Sequence, residues 1–280
     1  MTASEPAPPP APPVVHPTAV VMPGAELGAG VEVGPYAVLE PGVEVGAGSR
    51  IAAHAQLLGR TVLGARCVVG PGTVLGGVPQ DAKYAGERTL VRIGADCVFH
   101  EHATVHRATG EGGETVLGAG VRLMVGAHVG HNCTVGDGAI LVNGAALGGH
   151  VVVGAGAFLS QTSGVHQFGR VGRLTLVGGA TMLTRDAPPF SVVVGSYPPR
   201  WRAPNTIGLR RAGFLPAQRD AIRTALRALF APGANPRQVA EQYANHADPN
   251  LAELAAFVLA GRRQLVAPPA RDPADEADAD

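Results

Sequence analysis

Two histidines three residues apart, His128 and His131, lie in the stretch VGAHVGHNCTVG (125–136). His150 follows His131 by 19 residues and His166 follows it by 35. Such a set is open to three readings. A neutral imidazole can take a proton from a hydroxyl as that oxygen attacks a thioester, a positioned transfer worth about 10²–10⁴-fold in rate. Several imidazoles together can ligate zinc. Histidine is also a tolerated residue at exposed corners, with no chemistry attached. For the base reading, a glycine-rich corner such as LGGH (147–150) can offer backbone N–H groups, Gly149 among them, to a developing oxyanion.

Bringing these residues together requires an element whose period is close to 18. Apolar residues recur every six positions from Val15 and Val21 to Leu75, resume at Ile93, Phe99 and Val105, and run unbroken from Leu117 to Leu183. Six matches neither the helical period of 3.6 nor the strand period of 2. A short repeat sustained this long means a solenoid. The fold expected is mainly β: a prism of triangular section with three hexads per coil and coils about 4.8 Å apart. The first hexad position points inward, and a small fifth residue fits beside it. Cys67, Cys97 and Cys133 all fall on fifth positions and read as core. His150 and His166 each lie one residue off a whole number of coils from His131, so one edge of the prism carries all three. His128 belongs near the adjoining corner.

The expected organisation is a disordered leader (1–13), a solenoid (14–195), a helical domain (196–267) and an acidic disordered tail (268–280). Loops break the hexads at 77–92 and 110–116, where Asp81, Glu87 and Glu111 occupy apolar positions; such excursions are where a repetitive scaffold carries function. The helices are signalled by Pro216 and the spacing of Ile222, Leu226 and Leu229, by Asn235–Pro236, and by the run after Asp248. With 22 basic and 22 acidic side chains, the chain has no electrostatic case for nucleic acid. It has no apolar run of the ~20 residues that membrane insertion requires and no signal-peptide pattern. The cytoplasm is the expected compartment.

The motifs PQDAKYAGE (79–87), TVHRAT (104–109), AHVGHNCTVG (127–136), GVHQF (164–168), DAPPF (186–190) and GLRRAGF (208–214) together resemble the UDP-N-acetylglucosamine O-acyltransferase family, from about His16 to the end of the helical region. That resemblance implies a left-handed parallel β-helix of hexapeptide repeats with a small C-terminal α-helical domain. It also implies a homotrimer with active sites between subunits. The implied reaction moves an (R)-3-hydroxyacyl chain from acyl carrier protein to the 3-hydroxyl of UDP-N-acetylglucosamine, the first step of lipid A biosynthesis. His131 is the implied general base and Gly149 the oxyanion donor. His106, His128, His150, His166 and Gln167 would line the substrate cleft. Asp81 and Lys83 would reach a neighbouring subunit's substrate, Asn205 and Arg211 would hold the nucleotide, and Gly179 would leave room for the acyl chain. Arg219, Arg223 and Arg227, with Arg210, form a basic stripe suited to docking the acidic carrier. No metal and no cofactor are implied; the zinc-binding gamma-type carbonic anhydrases, also β-helical, use a histidine pair five residues apart.

The chain departs from the family pattern in three places. Asn132 stands where an Asp usually follows the catalytic histidine; an amide can orient the ring but lacks the charge, so a weaker base is expected. Ile207 replaces a Glu associated with the sugar nucleotide, and Ala212 replaces the second of two arginines. These two leave open the same transfer to a different nucleotide sugar, such as a diamino sugar. A non-catalytic β-helix that binds a sugar nucleotide or the carrier is the alternative outside enzymes.

Overall fold

The structure, a computed structural model, describes residues 11–268. The expected leader and acidic tail lie almost wholly outside the described residues. Each hexad forms a two-residue strand and a turn, and the strands stack into three parallel sheets that are the faces of a left-handed β-helix. The first face starts at Val14–Val15, the second at Val20–Val21 and the third at Glu26–Leu27. Val14 pairs with Glu32, one 18-residue coil on. Leu75 pairs with Val105, thirty residues on, and Val105 with Val129, twenty-four on. The two breaks in the hexads are thus whole hexads looped out, which is why the apolar phase returns unshifted.

Inside the prism, first-position residues such as Leu39, Leu57, Leu75, Val129 and Leu141 are fully buried. Small fifth-position residues lie beside them, including Ala37, Ala55, Ala103 and Ala127. All three cysteines are buried and free. Burial pushes the Cys133 thiol up to about 12, so it stays protonated. Narrow coils leave no room for larger fifth residues, and this explains the scarcity of aromatics.

Corners turn through left-handed backbone. At the edge between the second and third faces Asn132 (φ 59°), His150 (φ 60°) and Phe168 (φ 62°) take that conformation in successive coils. Asn and His adopt it more readily than most residues, whereas Phe adopts it against its preference. Backbone bonds tie the corners vertically, His150 N–H to His131 O at 2.9 Å and Phe168 N–H to Gly149 O at 2.9 Å.

Among the described residues four helices follow the coils: α1 (Thr206–Arg211), α2 (Pro216–Leu229), α3 (Pro236–Glu241) and α4 (Pro249–Leu259). Three begin with proline at the first turn, and Asn235 and Asp248 cap α3 and α4. Ile222, Leu226 and Leu229 are the buried face of α2. Before α1, Arg200–Pro204 pairs antiparallel with Ser191–Val194 and extends the first face. This strand falls in the segment expected to be helical; it carries no hexad, and Trp201, stacked on Phe230 at 4.7 Å, anchors it. The junction with the coils is polar and fixed. Arg170 pairs with buried Asp186 at 2.8 Å and donates to Phe257 O, while Arg173 pairs with Glu253 at 2.7 Å.

Candidate active site

The edge between the second and third faces collects the chemistry. His128–Val129 is a strand of the second face and Thr134–Val135 one of the third, so His131 and Asn132 form the corner between them. Both loops open at this same edge. Residues 78–89 leave the second-face strand Val74–Gly77 and return to the third-face strand Leu90–Ile93; residues 107–113 do the same between Thr104–His106 and Glu114–Leu117.

His131 is held in one tautomer. Its Nδ1 lies 2.8 Å from Asn132 Oδ1. That oxygen also accepts from Thr109 N–H at 2.9 Å and Thr109 Oγ1 at 3.0 Å, and Asn132 Nδ2 donates to Thr109 O at 3.0 Å. The Thr109 contacts fix which end of the amide faces the ring, so Oδ1 meets Nδ1 as an acceptor. Nδ1 therefore carries a proton, and in the neutral ring the lone pair is on Nε2. Thr115 Oγ1 accepts from Asn132 N–H at 2.8 Å and holds the corner itself.

The Nε2 edge of His131 lies over Gly149. A Cβ built on Gly149 would fall 2.5 Å from His131 Cε1 and closer to Nε2, so only glycine fits beneath the ring. Among the described residues the Gly149 N–H has no backbone acceptor. An imidazole edge and an N–H without a backbone acceptor thus lie at one corner.

The other imidazoles surround this pair. His150 meets His131 edge to face at 5.2 Å and stacks on Phe168 at 4.6 Å. His128 accepts from or donates to Thr104 Oγ1 at 2.8 Å, and His106 meets it edge to face at 4.9 Å. His106 Nδ1 is buried without a partner among the described residues. Burial, then the neighbouring His106 and His131, push the His128 imidazole down to about 4. Burial is also the first cause that lowers His106 and His150, with His131 adding to it; the Asp81 carboxylate opposes the fall at His150. Each shift favours the neutral ring and so reduces the positive charge beside His131.

That depression carries a stability consequence. The unfolded imidazole holds its proton up to about 6.5, whereas folded His128 releases it down to about 4. Between those values the unfolded chain binds more protons, so stability falls as pH drops from about 6.5 toward 4. His128→Gln should flatten that slope. Urea midpoints at pH 7 and pH 4.5 check this, and a difference equal to that of the parent chain would refute it.

Asp81 and Lys83 sit on the first loop, half-buried and exposed respectively. The Asp81 carboxylate accepts from Lys83 N–H at 2.9 Å. Arg107 fastens the loop: Nη1 donates to Gly76 O at 3.0 Å and Nε to Tyr84 Oη at 3.2 Å. His166 and Gln167 lie exposed at the same edge, and Arg263 Nη2 comes within 3.4 Å of His166 Nδ1.

The remaining candidates lie elsewhere. Gly179 belongs to the opposite edge, between the first and second faces, with Gln161 O the nearest atom to a built Cβ at 3.6 Å. Asn205 is buried and its amide is committed internally, accepting from Gly208 N–H at 3.0 Å and donating to Leu174 O at 2.8 Å. It caps α1 and ties it to the coils. Ile207, Arg210, Arg211 and Ala212 are exposed on or just after α1. On α2, Arg223 and Arg227 are exposed, Arg219 is half-buried, and Arg223 pairs with Asp220 at 2.9 Å.

Sequence reading missed Thr109, Thr115 and Arg107 as the groups that hold the site. It also missed a groove of about 310 Å³ on the second face, running from His128 past Ala146 and Gly164 to Met182. A Cβ on Gly164 would lie 2.9 Å from Met182 Sδ and Cε, so the methionine closes that end. These four residues are spaced by 18, and that interval was the available signal.

A β-helix of hexads with an imidazole edge over a glycine corner and an apolar groove on the adjoining face is the architecture of an acyltransferase of the hexapeptide-repeat class. The family model described as UDP N-acetylglucosamine O-acyltransferase, domain 2, matches residues 186–266, and that of the bacterial transferase hexapeptide (six repeats) matches 26–58. An acyl-[acyl-carrier-protein]–UDP-N-acetylglucosamine O-acyltransferase of Xanthomonas campestris pv. campestris is 44% identical over 257 residues, 91% of this chain and 98% of the relative. One from Synechocystis sp. is 40% identical over 184 residues, covering 66% of each chain. The solved UDP-N-acetylglucosamine acyltransferase from Campylobacter jejuni superposes with a TM-score of 0.85 at 30% identity, over 90% of this chain and 99% of that one. The chain belongs to the UDP-N-acetylglucosamine O-acyltransferase family.

Proposed function

We propose that this chain moves a 3-hydroxyacyl group from the thioester of acyl carrier protein to the 3-hydroxyl of UDP-N-acetylglucosamine, the first acylation of lipid A biosynthesis, as a cytoplasmic homotrimer. The observation that carries the reading is the lock on His131, whose Nδ1 faces Asn132 Oδ1 while Nε2 stands free over Gly149. His131 Nε2 takes the proton of the sugar 3-hydroxyl as its oxygen attacks the thioester carbon. The Gly149 N–H stabilises the oxyanion that forms. As the tetrahedral intermediate collapses, the carrier's thiolate leaves and takes the proton from the imidazolium. Asn132 Oδ1 holds the Nδ1 proton throughout, with a dipole in place of a full charge.

Asp81 and Lys83 meet the polar substrate, and His106, His128, His150, His166 and Gln167 line its cleft. Arg211 holds the nucleotide end, positioned by the Asn205 cap. The basic stripe of Arg210, Arg219, Arg223 and Arg227 receives the carrier. Incubating the purified chain with hydroxyacyl carrier protein and UDP-N-acetylglucosamine should yield the 3-O-acyl sugar nucleotide by mass spectrometry. No ester product at any carrier concentration would sink the proposal. Exposed Ile207, standing where the family has a Glu, favours a second reading in which the acceptor is a diamino sugar nucleotide; an amide product formed in preference to the ester would select it.

The acyl chain lies in the groove of the second face and ends against Met182. Each methylene newly buried is worth about 0.8 kcal/mol, so two more raise kcat/KM about fifteenfold. Met182→Ala should therefore shift preference toward donors about two carbons longer. An unchanged chain-length profile would place the acyl chain elsewhere.

A further inference from the structure

We propose that the acidic segment 270–280 of this chain docks into a basic pocket of its own helical region. The pocket, about 540 Å³, lies between the turn after α2, the start of α3 and the segment Gly261–Pro268. Arg185, Arg237, Arg262 and Arg263 line it around an apolar floor that includes Phe230 and Leu265, and no lining residue is acidic. None of the four arginines belongs to an ion pair among the described residues. Their contacts are with neutral groups: Arg237 reaches the carbonyl of Gly261, and Arg263 reaches the carbonyl of Thr184 and the ring of His166, each at 3.4 Å. Guanidinium groups cannot shed their charge, so four around one cavity repel one another until an anion enters.

The segment supplies that anion. It carries Asp272, Asp275, Glu276, Asp278 and Asp280 against Arg271 alone. Pro268 forms part of the pocket wall, so the segment starts at its rim. Eleven residues can span up to about 35–40 Å, more than the pocket requires. A short tether also gives an effective concentration in the millimolar range, which favours this segment over a separate acidic partner.

The probe is a fluorescein-labelled peptide of residues 270–280, followed by fluorescence anisotropy at low salt. The receptor is the full-length chain with Asp272, Asp275, Glu276, Asp278 and Asp280 changed to their amides, so that its own segment no longer competes. The peptide should bind this variant at least tenfold more tightly than it binds the parent chain, and binding should weaken steeply with salt. Adding Arg237→Glu and Arg262→Glu, both at exposed positions, should abolish binding with the melting temperature retained. The milder pair Arg237→Gln and Arg262→Gln should weaken binding at least threefold. Adding Arg219→Glu and Arg223→Glu instead should leave it unchanged. Equal binding by parent and amide variant would overturn the proposal, as would loss of binding through Arg219 and Arg223. Capture of acyl carrier protein by the amide variant without peptide binding would assign the pocket to the carrier and overturn it too.

Discussion

Replacing His131 with Ala is expected to lower turnover by about a hundredfold or more and to leave folding nearly unchanged. The side chain is half-exposed at a corner and makes one hydrogen bond, to Asn132 Oδ1. That oxygen keeps both Thr109 donors when the ring is gone. The loss therefore falls on kcat, because the proton acceptor is missing in the transition state while substrate contacts persist. Asn132→Asp gives the complementary readout. A carboxylate still accepts from Nδ1–H but adds a negative charge that favours the imidazolium, so the acidic limb of the pH–rate profile should move up by about one unit. Turnover of His131→Ala within a few-fold of the parent would remove the general-base assignment, whatever the behaviour of Asn132→Asp.

The asymmetry between what could be read from the chain and what required coordinates follows from range. A hexad is local, and the coil it implies places residues 18 apart above one another. His131, Gly149 and His150 could thus be assigned to one edge from spacing alone, as could the burial of Cys67, Cys97 and Cys133. The lock on Asn132 could not. Thr109 lies 23 residues away in a loop that has left the hexad register, so no period connects the two. Arg107 likewise meets Tyr84 across two looped-out segments. The cap role of Asn205 was likewise out of reach: its residue type suits helix capping, but its partners Gly208 N–H and Leu174 O appear only in the coordinates.

Gly149→Ala is expected to cost about a hundredfold in turnover without unfolding the chain. The position has no left-handed backbone that would penalise a side chain, because Gly149 is absent from the residues of positive φ among those described. What an alanine meets is the His131 ring, 2.5 Å from Cε1. The ring is half-exposed and can swing outward, so the clash is relieved at little expense to packing. Swinging separates Nδ1 from Asn132 Oδ1, freeing the tautomer, and carries Nε2 away from the N–H that must share the reacting centre. A displacement near 1 Å is enough for a loss of about 10²-fold. Gly138→Ala is the matched control. Gly138 has φ 63° and open space around its missing side chain. An alanine there meets no neighbour but is forced into left-handed backbone, at about 1–2 kcal/mol. The two variants should therefore dissociate: Gly149→Ala inactive with the melting temperature of the parent, Gly138→Ala active but melting several degrees lower. Parallel losses of activity and stability in Gly149→Ala would mean that the glycine serves the coil and not the imidazole.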